Sequence, residues 1–176
     1  MDKVNRVILF CDIHDFGLLS GSLGDGMPGF VQAFYEMVGA AVQANGGQLV
    51  KYIGDSVLAL FPGGAELEAV RCALRMRGEY ARLPGARAGG VASELEVSIG
   101  SGPVVEGIFG HESLRLRDVF GETVCNTAMI MHFRGVALTR EVRGAVQERY
   151  PTERLPDRPL RWLPEPLEVW RVVEER

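Results

Sequence analysis

One stretch decides how this chain folds: Gly46-Gly47-Gln48-Leu49-Val50-Lys51-Tyr52-Ile53-Gly54-Asp55-Ser56-Val57-Leu58-Ala59-Leu60-Phe61. The residues on either side of Gly54-Asp55 are rich in strand-forming types, and a Gly-Asp step between two such runs is typical of a tight hairpin turn. A carboxylate at a hairpin tip is exposed and rigidly held at the end of a sheet. The stretch therefore predicts two antiparallel strands that present Asp55 as a candidate metal ligand.

A second carboxylate follows a second strand. Residues 7–11, Val-Ile-Leu-Phe-Cys, form a continuous apolar run that is typical of a strand buried on both faces, and Asp12 ends it. Two sheet ends that carry Asp12 and Asp55 could hold one or two hard divalent cations against a polyphosphate. Each Asp taken alone is equally consistent with a turn residue or a strand terminator.

The composition bounds the class of protein. The 176 residues are 47% apolar and 24% charged, which suits one soluble domain, residues 1–176, with a sizeable core. A net charge of −4 gives no reason to expect binding to nucleic acid. No apolar run approaches the length of a membrane span, and the N-terminus lacks a signal-peptide pattern. Cys11, Cys72 and Cys125 lack metal-ligand spacing, so we expect buried thiols in a reducing compartment and a cytoplasmic protein.

The remaining pattern mixes helices and strands. It predicts an α+β sandwich with a largely antiparallel sheet covered by helices on one face. Glycines around Pro103 indicate that backbone passes close to another group there. The expected helices are a short one after residues 13–15 and others within 28–45, 65–83, 121–133 and 140–148, the last capped by Thr139. The expected strands are 95–99, 104–109 and 114–120, with a turn or bulge at 100–103 and a closing edge strand at 167–173.

Four segments, in this order, resemble the class III nucleotidyl cyclase catalytic domain. They are residues 10–16 (Phe-Cys-Asp-Ile-His-Asp-Phe), residues 46–55 within the hairpin, residues 102–107 (Gly-Pro-Val-Val-Glu-Gly) and residues 118–124 (Asp-Val-Phe-Gly-Glu-Thr-Val). The resemblance runs from about Val4 to about Val173. It implies the ferredoxin-like fold of these domains, with a largely antiparallel sheet and helices packed on it.

The resemblance also implies a mechanism. Asp12 and Asp55 would bind two Mg²⁺ or Mn²⁺ ions with help from the Ile13 carbonyl, and Ile13 and Phe16 would adjoin the bound substrate. The ribose 3′-hydroxyl of a nucleoside triphosphate would attack the α-phosphorus, and pyrophosphate would leave. Family sites form between two head-to-tail domains, so a lone domain of this kind would act as a homodimer.

Two further positions resemble the family's base-reading pair. Lys51 can donate to a ring nitrogen and Asp118 can accept from an exocyclic amine, which makes ATP the first-choice substrate. Without the resemblance, we would interpret Lys51 as a solvated strand residue and Asp118 as a turn or cap residue.

The helix predicted within residues 121–133 departs from the family pattern, which has an Asn followed four residues later by an Arg. If Asn126 is the family Asn and a catalytic residue, Ile130 takes the Arg position; if Cys125 stands there, Met129 does. Neither Ile nor Met can donate to phosphate, and Arg134 follows about one helical turn too late. Glu94 and Glu96 also lie where many relatives carry a phosphate-binding Arg.

Three functions are therefore open. The first is an active cyclase with modest turnover, which the two metal carboxylates and the base pair favour. The second is a pyrimidine-nucleotide cyclase, against which Lys51 and Asp118 argue mildly. The third is a degenerate domain that binds nucleotide or a partner without catalysis, which the missing Arg favours.

Overall fold

The computed structural model of the chain describes residues 3–173. Within that range strands and helices are interleaved, as the sequence pattern predicts. In chain order the elements are β1 Val4–Ile13, α1 Phe16–Leu23, α2 Met27–Ala44, β2 Gln48–Ile53, β3 Ser56–Pro62, α3 Glu66–Tyr80, β4 Leu95–His111, β5 Leu114–Phe120, α4 Glu122–Met129, β6 Val136–Thr139, α5 Arg140–Val146, β7 Thr152–Arg154 and β8 Val169–Val172.

The strands form one eight-stranded sheet. Its order is β2-β3-β1-β4-β6-β8-β7, and β5 pairs with β4 off this path. The β4–β6 pair is parallel and the other pairs are antiparallel, so the predicted α+β class with a largely antiparallel sheet is confirmed. The predicted hairpin is also present, because Ile53 pairs with Ser56 across the Gly54-Asp55 turn. Gly54 adopts a φ of 63°, which favours glycine over residues with a side chain.

The central strand β1 is buried on both faces, as its continuous apolar run predicts. One face, with Val7 and Leu9, packs against α2, α3 and α5 in the main core. The other face, with Ile8 and Phe10, packs with strand β3 and with side chains of α4. The expectation that helices cover only one face is therefore wrong. Helix α4 covers the second face because its short apolar side fits over the middle of the sheet.

The glycine-rich segment at residues 100–103 is neither a turn nor a bulge. It lies inside the single long strand β4, which pairs with β1 from Leu95 to Val104. The glycines instead allow α4 to approach the sheet: a Cβ added to Gly100 would overlap Oγ1 of Thr127, and one added to Gly102 would stand 2.7 Å from Oγ1 of Thr123. The expected close approach is thus present, and extended strand geometry accommodates the glycines without ending the strand.

The C-terminal part differs most from the expectation. Strand β8 lies between β6 and β7, so it is not an edge strand. The sequence pattern did not predict the two short strands β6 and β7 that flank it. Helix α4 ends at Met129, short of the expected Phe133, and α5 ends at Val146. Thr139 does precede α5, but its side chain makes no capping hydrogen bond and its hydroxyl is buried without a hydrogen-bond partner among the described residues.

The cysteines divide into two groups. Cys11 and Cys72 are buried thiols, as expected, and burial raises the pKa of Cys72 to about 12. Cys125 is exposed on α4, so the expectation of three buried thiols is wrong at this position. An amphipathic helix of only eight residues leaves one side in solvent, and Cys125 lies on that side.

No helix among residues 3–173 is long and apolar enough to cross a membrane.

Candidate active site

The two predicted metal carboxylates lie at the same end of the sheet. Cys11 of β1 pairs with Val57 of β3, so Asp12 stands beside the start of β3 and beside the turn that carries Asp55. Burial and then the negative charge of Asp12 raise the pKa of the Asp55 carboxyl. The hydroxyl of Ser56 donates a hydrogen bond to Oδ1 of Asp12. The hairpin thus holds both carboxylates in one small region of the sheet rim.

This region fits a divalent cation. Carboxylate and carbonyl oxygens are the ligands that Mg²⁺ and Mn²⁺ prefer. Among residues 3–173, neither Asp12 nor Asp55 forms an ion pair with Lys or Arg, and their mutual repulsion is what a bound cation relieves. The backbone carbonyl of Ile13 follows Asp12 directly, while the Ile13 side chain is buried in the main core.

Phe16 is the first residue of α1. Its side chain packs against the main core, and its backbone follows the chain segment that carries Asp12 and Ile13. The first N–H groups of a helix have no partner within the helix, and Asp15, with a φ of 58°, turns the chain sharply between β1 and α1. The carbonyl of Asp15 accepts from the N–H groups of Leu18 and Leu19. This geometry allows the N–H groups of Phe16 and Gly17 to receive an anion.

A third acid stands next to Asp12. Glu96 lies opposite Asp12 in the β1–β4 register and is only 3% exposed. Its Oε1 lies 3.0 Å from Nδ1 of His14, and burial raises the pKa of its carboxyl while His14 lowers it. One ligand atom each from Asp12, Glu96 and His132 lies within 4.8 Å of the others. In the sequence, Glu96 stands out only because it lies where many relatives carry an Arg, and no pattern points to His132.

Arg134 reaches the same rim. It is not on α4, which ends at Met129, so the helical count that placed it one turn too late does not apply. Its Nη2 lies 2.9 Å from Nε2 of His14, and its Nη1 lies 3.0 Å from Oε1 of Glu94. The turn after α4 therefore returns a cationic side chain to the end of β1.

The predicted base-reading pair is brought together by β2 and β5. Nζ of Lys51 lies 2.7 Å from Oδ2 of Asp118, and both side chains are partly exposed. Oδ1 of Asp118 accepts a hydrogen bond from the backbone N–H of Val119 at 2.8 Å, which fixes the carboxylate. One donor and one acceptor are thus held side by side at the sheet surface.

Asn126 lies on α4 beside a cleft of about 770 Å³. Its Oδ1 accepts a hydrogen bond from Nε1 of Trp162 at 2.9 Å. Ile130 is fully buried, so a residue at that position does not face a ligand. Cys125 is exposed and Met129 is partly so, which places this second pair on the outer side of the helix. Neither alternative supplies an arginine on α4.

The comparisons with known proteins agree on one family. The family described as "Adenylate and Guanylate cyclase catalytic domain" matches residues 1–153. A curated relative, "Adenylate cyclase, terminal-differentiation specific" of Dictyostelium discoideum, is 29% identical over 124 residues, which are 66% of this chain. The matched part of this chain spans only 6% of that relative's length.

Solved structures show the same fold. The adenylyl cyclase CyaB from P. aeruginosa superposes with a TM-score of 0.89 at 18% identity, over 99% of this chain and 96% of that one. The guanylate cyclase domain of RhGC from Catenaria anguillulae, in complex with GTP, superposes with a TM-score of 0.86 at 17% identity over 100% of both chains. The match to the family over most of the sequence, together with this fold, shows that the chain belongs to the family of adenylate and guanylate cyclase catalytic domains.

Proposed function

We propose that residues 1–176 act as a single nucleotidyl cyclase catalytic domain that converts a nucleoside triphosphate, ATP by preference, to the 3′,5′-cyclic nucleotide and pyrophosphate. The observation that carries this proposal is the meeting of Asp12 and Asp55 at one sheet rim with no Lys or Arg paired to either among residues 3–173. Two acids in such a position need a cation, and a metal-bound triphosphate brings one.

The residues of the rim take distinct roles. Asp12, Asp55 and the Ile13 carbonyl would hold Mg²⁺ or Mn²⁺, which when bound lowers the pKa of the ribose 3′-hydroxyl and neutralises phosphate charge. The N–H groups at the start of α1, beginning with Phe16, would bind phosphate oxygens. Arg134 adds a guanidinium on the same side, where its Nη1 is held by Glu94. Catalysis of this kind depends on positioning and charge, so no protein nucleophile is required.

The Lys51–Asp118 pair supports adenine as the base. A Lys donor and an Asp acceptor match a ring nitrogen and an exocyclic amine, whereas guanine presents a carbonyl where adenine has its amine. The Dictyostelium relative is named an adenylate cyclase. The fold alone does not choose the base, since an adenylyl cyclase and a GTP-bound guanylate cyclase domain superpose similarly well on this chain.

We further propose that the chain works in the cytoplasm as a head-to-tail homodimer. In that arrangement the metal carboxylates of one protomer face Lys51, Asp118 and Asn126 of the other. The free cysteines suit a reducing compartment where nucleoside triphosphates are abundant.

One observation favours a second candidate function. Met129, the last residue of α4, or the following residue Ile130 stands where a charge-neutralising Arg is expected, and Ile130 is buried. Loss of such a donor typically costs about 10²–10³-fold in rate. A cyclase-like domain that binds nucleotide or a partner without turnover would keep the geometry described above.

The deciding experiment incubates the purified chain with Mn²⁺ and each of the four ribonucleoside triphosphates and detects cyclic products by mass spectrometry. We expect cyclic AMP as the main product, its loss in Asp55→Asn, and its retention in the matched control Asp25→Asn, whose carboxylate is exposed outside the rim. Cyclic CMP or UMP as the main product would identify a pyrimidine-nucleotide cyclase. Nucleotide binding without any product would instead establish the regulatory role.

A further inference from the structure

Three side chains at the sheet rim form a cluster that the proposed reaction does not use in full. Asp12, Glu96 and His132 each offer a ligand atom, and these atoms lie within 4.8 Å of one another. They come from β1, from β4 and from the turn after α4, so the tertiary structure alone assembles them. Two of the three, Glu96 and His132, have no part in the two-carboxylate arrangement of Asp12 and Asp55.

Glu96 is the most deeply buried member of this cluster. It is 3% exposed and stands opposite Asp12 across the β1–β4 pair. A carboxylate buried beside another carboxylate is costly unless positive charge compensates it. Among residues 3–173 no Lys or Arg pairs with Glu96, and its partner is Nδ1 of His14 at 3.0 Å.

The dimensions suit one ion. Ligand atoms lie about 2.0–2.2 Å from a first-row divalent ion, so two ligands on opposite sides of it are roughly 4.2 Å apart. The ligand atoms of the three residues lie within 4.8 Å of one another, so a small movement of the side chains brings them to that distance. His132 is exposed and free to make the adjustment. Glu96 can keep its contact with His14 through Oε1 and ligate through Oε2, in which case His14 orients the ligand.

We propose that Asp12, Glu96 and His132 form a mixed carboxylate–imidazole site for one divalent transition-metal ion, which binds Mn²⁺ in preference to Mg²⁺. An imidazole ligand suits transition metals, whereas Mg²⁺ favours oxygen ligands and retained water. The inference shares Asp12 with the proposed function and therefore deepens it. His132 and Glu96 thus give this chain a metal preference that the Asp12–Asp55 pair alone does not have.

The test measures metal binding without nucleotide. Free Mn²⁺ is followed by electron paramagnetic resonance as it is titrated into the wild-type chain, His132→Asn, Glu96→Gln and the control His111→Asn, whose histidine lies at the exposed β4–β5 turn. We expect His132→Asn and Glu96→Gln to weaken Mn²⁺ binding by at least about tenfold. Competition with Mg²⁺ should show that His132→Asn reduces the Mn²⁺ preference, while His111→Asn leaves both unchanged.

Equal Mn²⁺ affinity in wild type and His132→Asn would overturn the inference. His132 is exposed, so this variant keeps its fold, which circular dichroism can verify even if Glu96→Gln proves unstable. Failure of this inference can be distinguished from failure of the proposed function, because Mn²⁺ binding is measured without any turnover of nucleotide. A chain that makes cyclic product, yet binds Mn²⁺ equally well before and after the His132→Asn change, retains its activity assignment and loses only this site.

Discussion

Nζ of Lys51 lies 2.7 Å from Oδ2 of Asp118, although 67 positions separate the two residues in the chain. Strands β2 and β5 bring them together in one protomer, and the backbone N–H of Val119 fixes the carboxylate. For the proposed base-reading role this means that the donor–acceptor pair is assembled before a base binds, which reduces the entropy lost on binding.

This relationship predicts the effect of changing the acceptor. Asp118→Asn should lower kcat/KM for ATP by about tenfold or more and reduce the ratio of ATP to GTP turnover, because an amide presents a donor as well as an acceptor. The measurement is kcat/KM for both nucleotides. Glu112→Gln, at the exposed β4–β5 turn, is the matched control. An unchanged ATP-to-GTP ratio in Asp118→Asn would contradict the base-reading role.

The Trp162–Asn126 hydrogen bond predicts a positioning effect. Because the indole donates to Oδ1, the amide is oriented with its NH₂ donors directed elsewhere. If Asn126 acts on the nucleotide, Asn126→Ala should lower kcat by about 10²-fold, and Trp162→Phe should lower kcat several-fold with little change in KM. Activity in Asn126→Ala equal to that of the wild type would show that Asn126 is not a catalytic residue.

The raised pKa of Asp55 predicts a dependence of stability on pH. Burial and the charge of Asp12 raise this pKa above its usual 3.8, so the folded state binds the proton more tightly than the unfolded state does. The contribution of Asp55 to stability therefore falls as pH rises from 3.8 through the raised pKa. Asp55→Asn should be more stable than wild type at neutral pH without metal, by about 1 kcal/mol or less since the group is only partly buried.

Thermal melts in a chelating buffer, from below pH 3.8 to neutral pH, measure this difference. Adding Mn²⁺ should then raise the Tm of the wild type more than that of Asp55→Asn. A wild-type protein as stable as the variant at every pH would show that neither burial nor the charge of Asp12 destabilises the ionised Asp55 carboxylate.

The proposed head-to-tail dimer predicts complementation between two impaired variants. Asp55→Asn removes a metal ligand and Asp118→Asn weakens base recognition, so each homodimer is impaired at both sites. Random exchange in an equal mixture gives one half heterodimers, each with one intact site of two, and about a quarter of wild-type activity. A mixture of Asp55→Asn and Asp12→Asn should not recover. Failure of the first mixture, with heterodimers verified by mass spectrometry, would place each site within one chain.

The contact between β4 and α4 predicts a stability effect. A Cβ at position 100 would overlap Oγ1 of Thr127, a buried hydroxyl that donates to the carbonyl of Thr123. Gly100→Ala should therefore cost about 1–3 kcal/mol, whereas Gly78→Ala on the exposed side of α3 should be neutral or stabilising because alanine favours a helix. Urea unfolding measures both changes. Adding Thr127→Ala to Gly100→Ala should restore part of the loss if the clash is the cause.

Much of the fold could be predicted from the sequence, because local patterns of apolar and turn residues determine its strands and turns. The apolar run at residues 7–11 is buried on both faces of the sheet, and the Gly54-Asp55 turn joins β2 and β3 as expected. The hairpin and the end of β1 also place Asp55 and Asp12, since a turn and a strand end are local features. Short elements were missed: β6 and β7 hold four and three residues, too few to show a period.

Tertiary structure decided which side chains meet. Glu96 and His132 meet Asp12 from separate elements, and no spacing along the chain encodes that meeting. Arg134 likewise reaches His14 from the turn after α4. The continuity of β4 through Gly100 likewise depends on its pairing with β1 and on the approach of α4. Hydrophobic periodicity is a property of neighbouring residues and so survives in the sequence. The charge balance of a site depends on distances across the sheet, which exist only once the chain has folded.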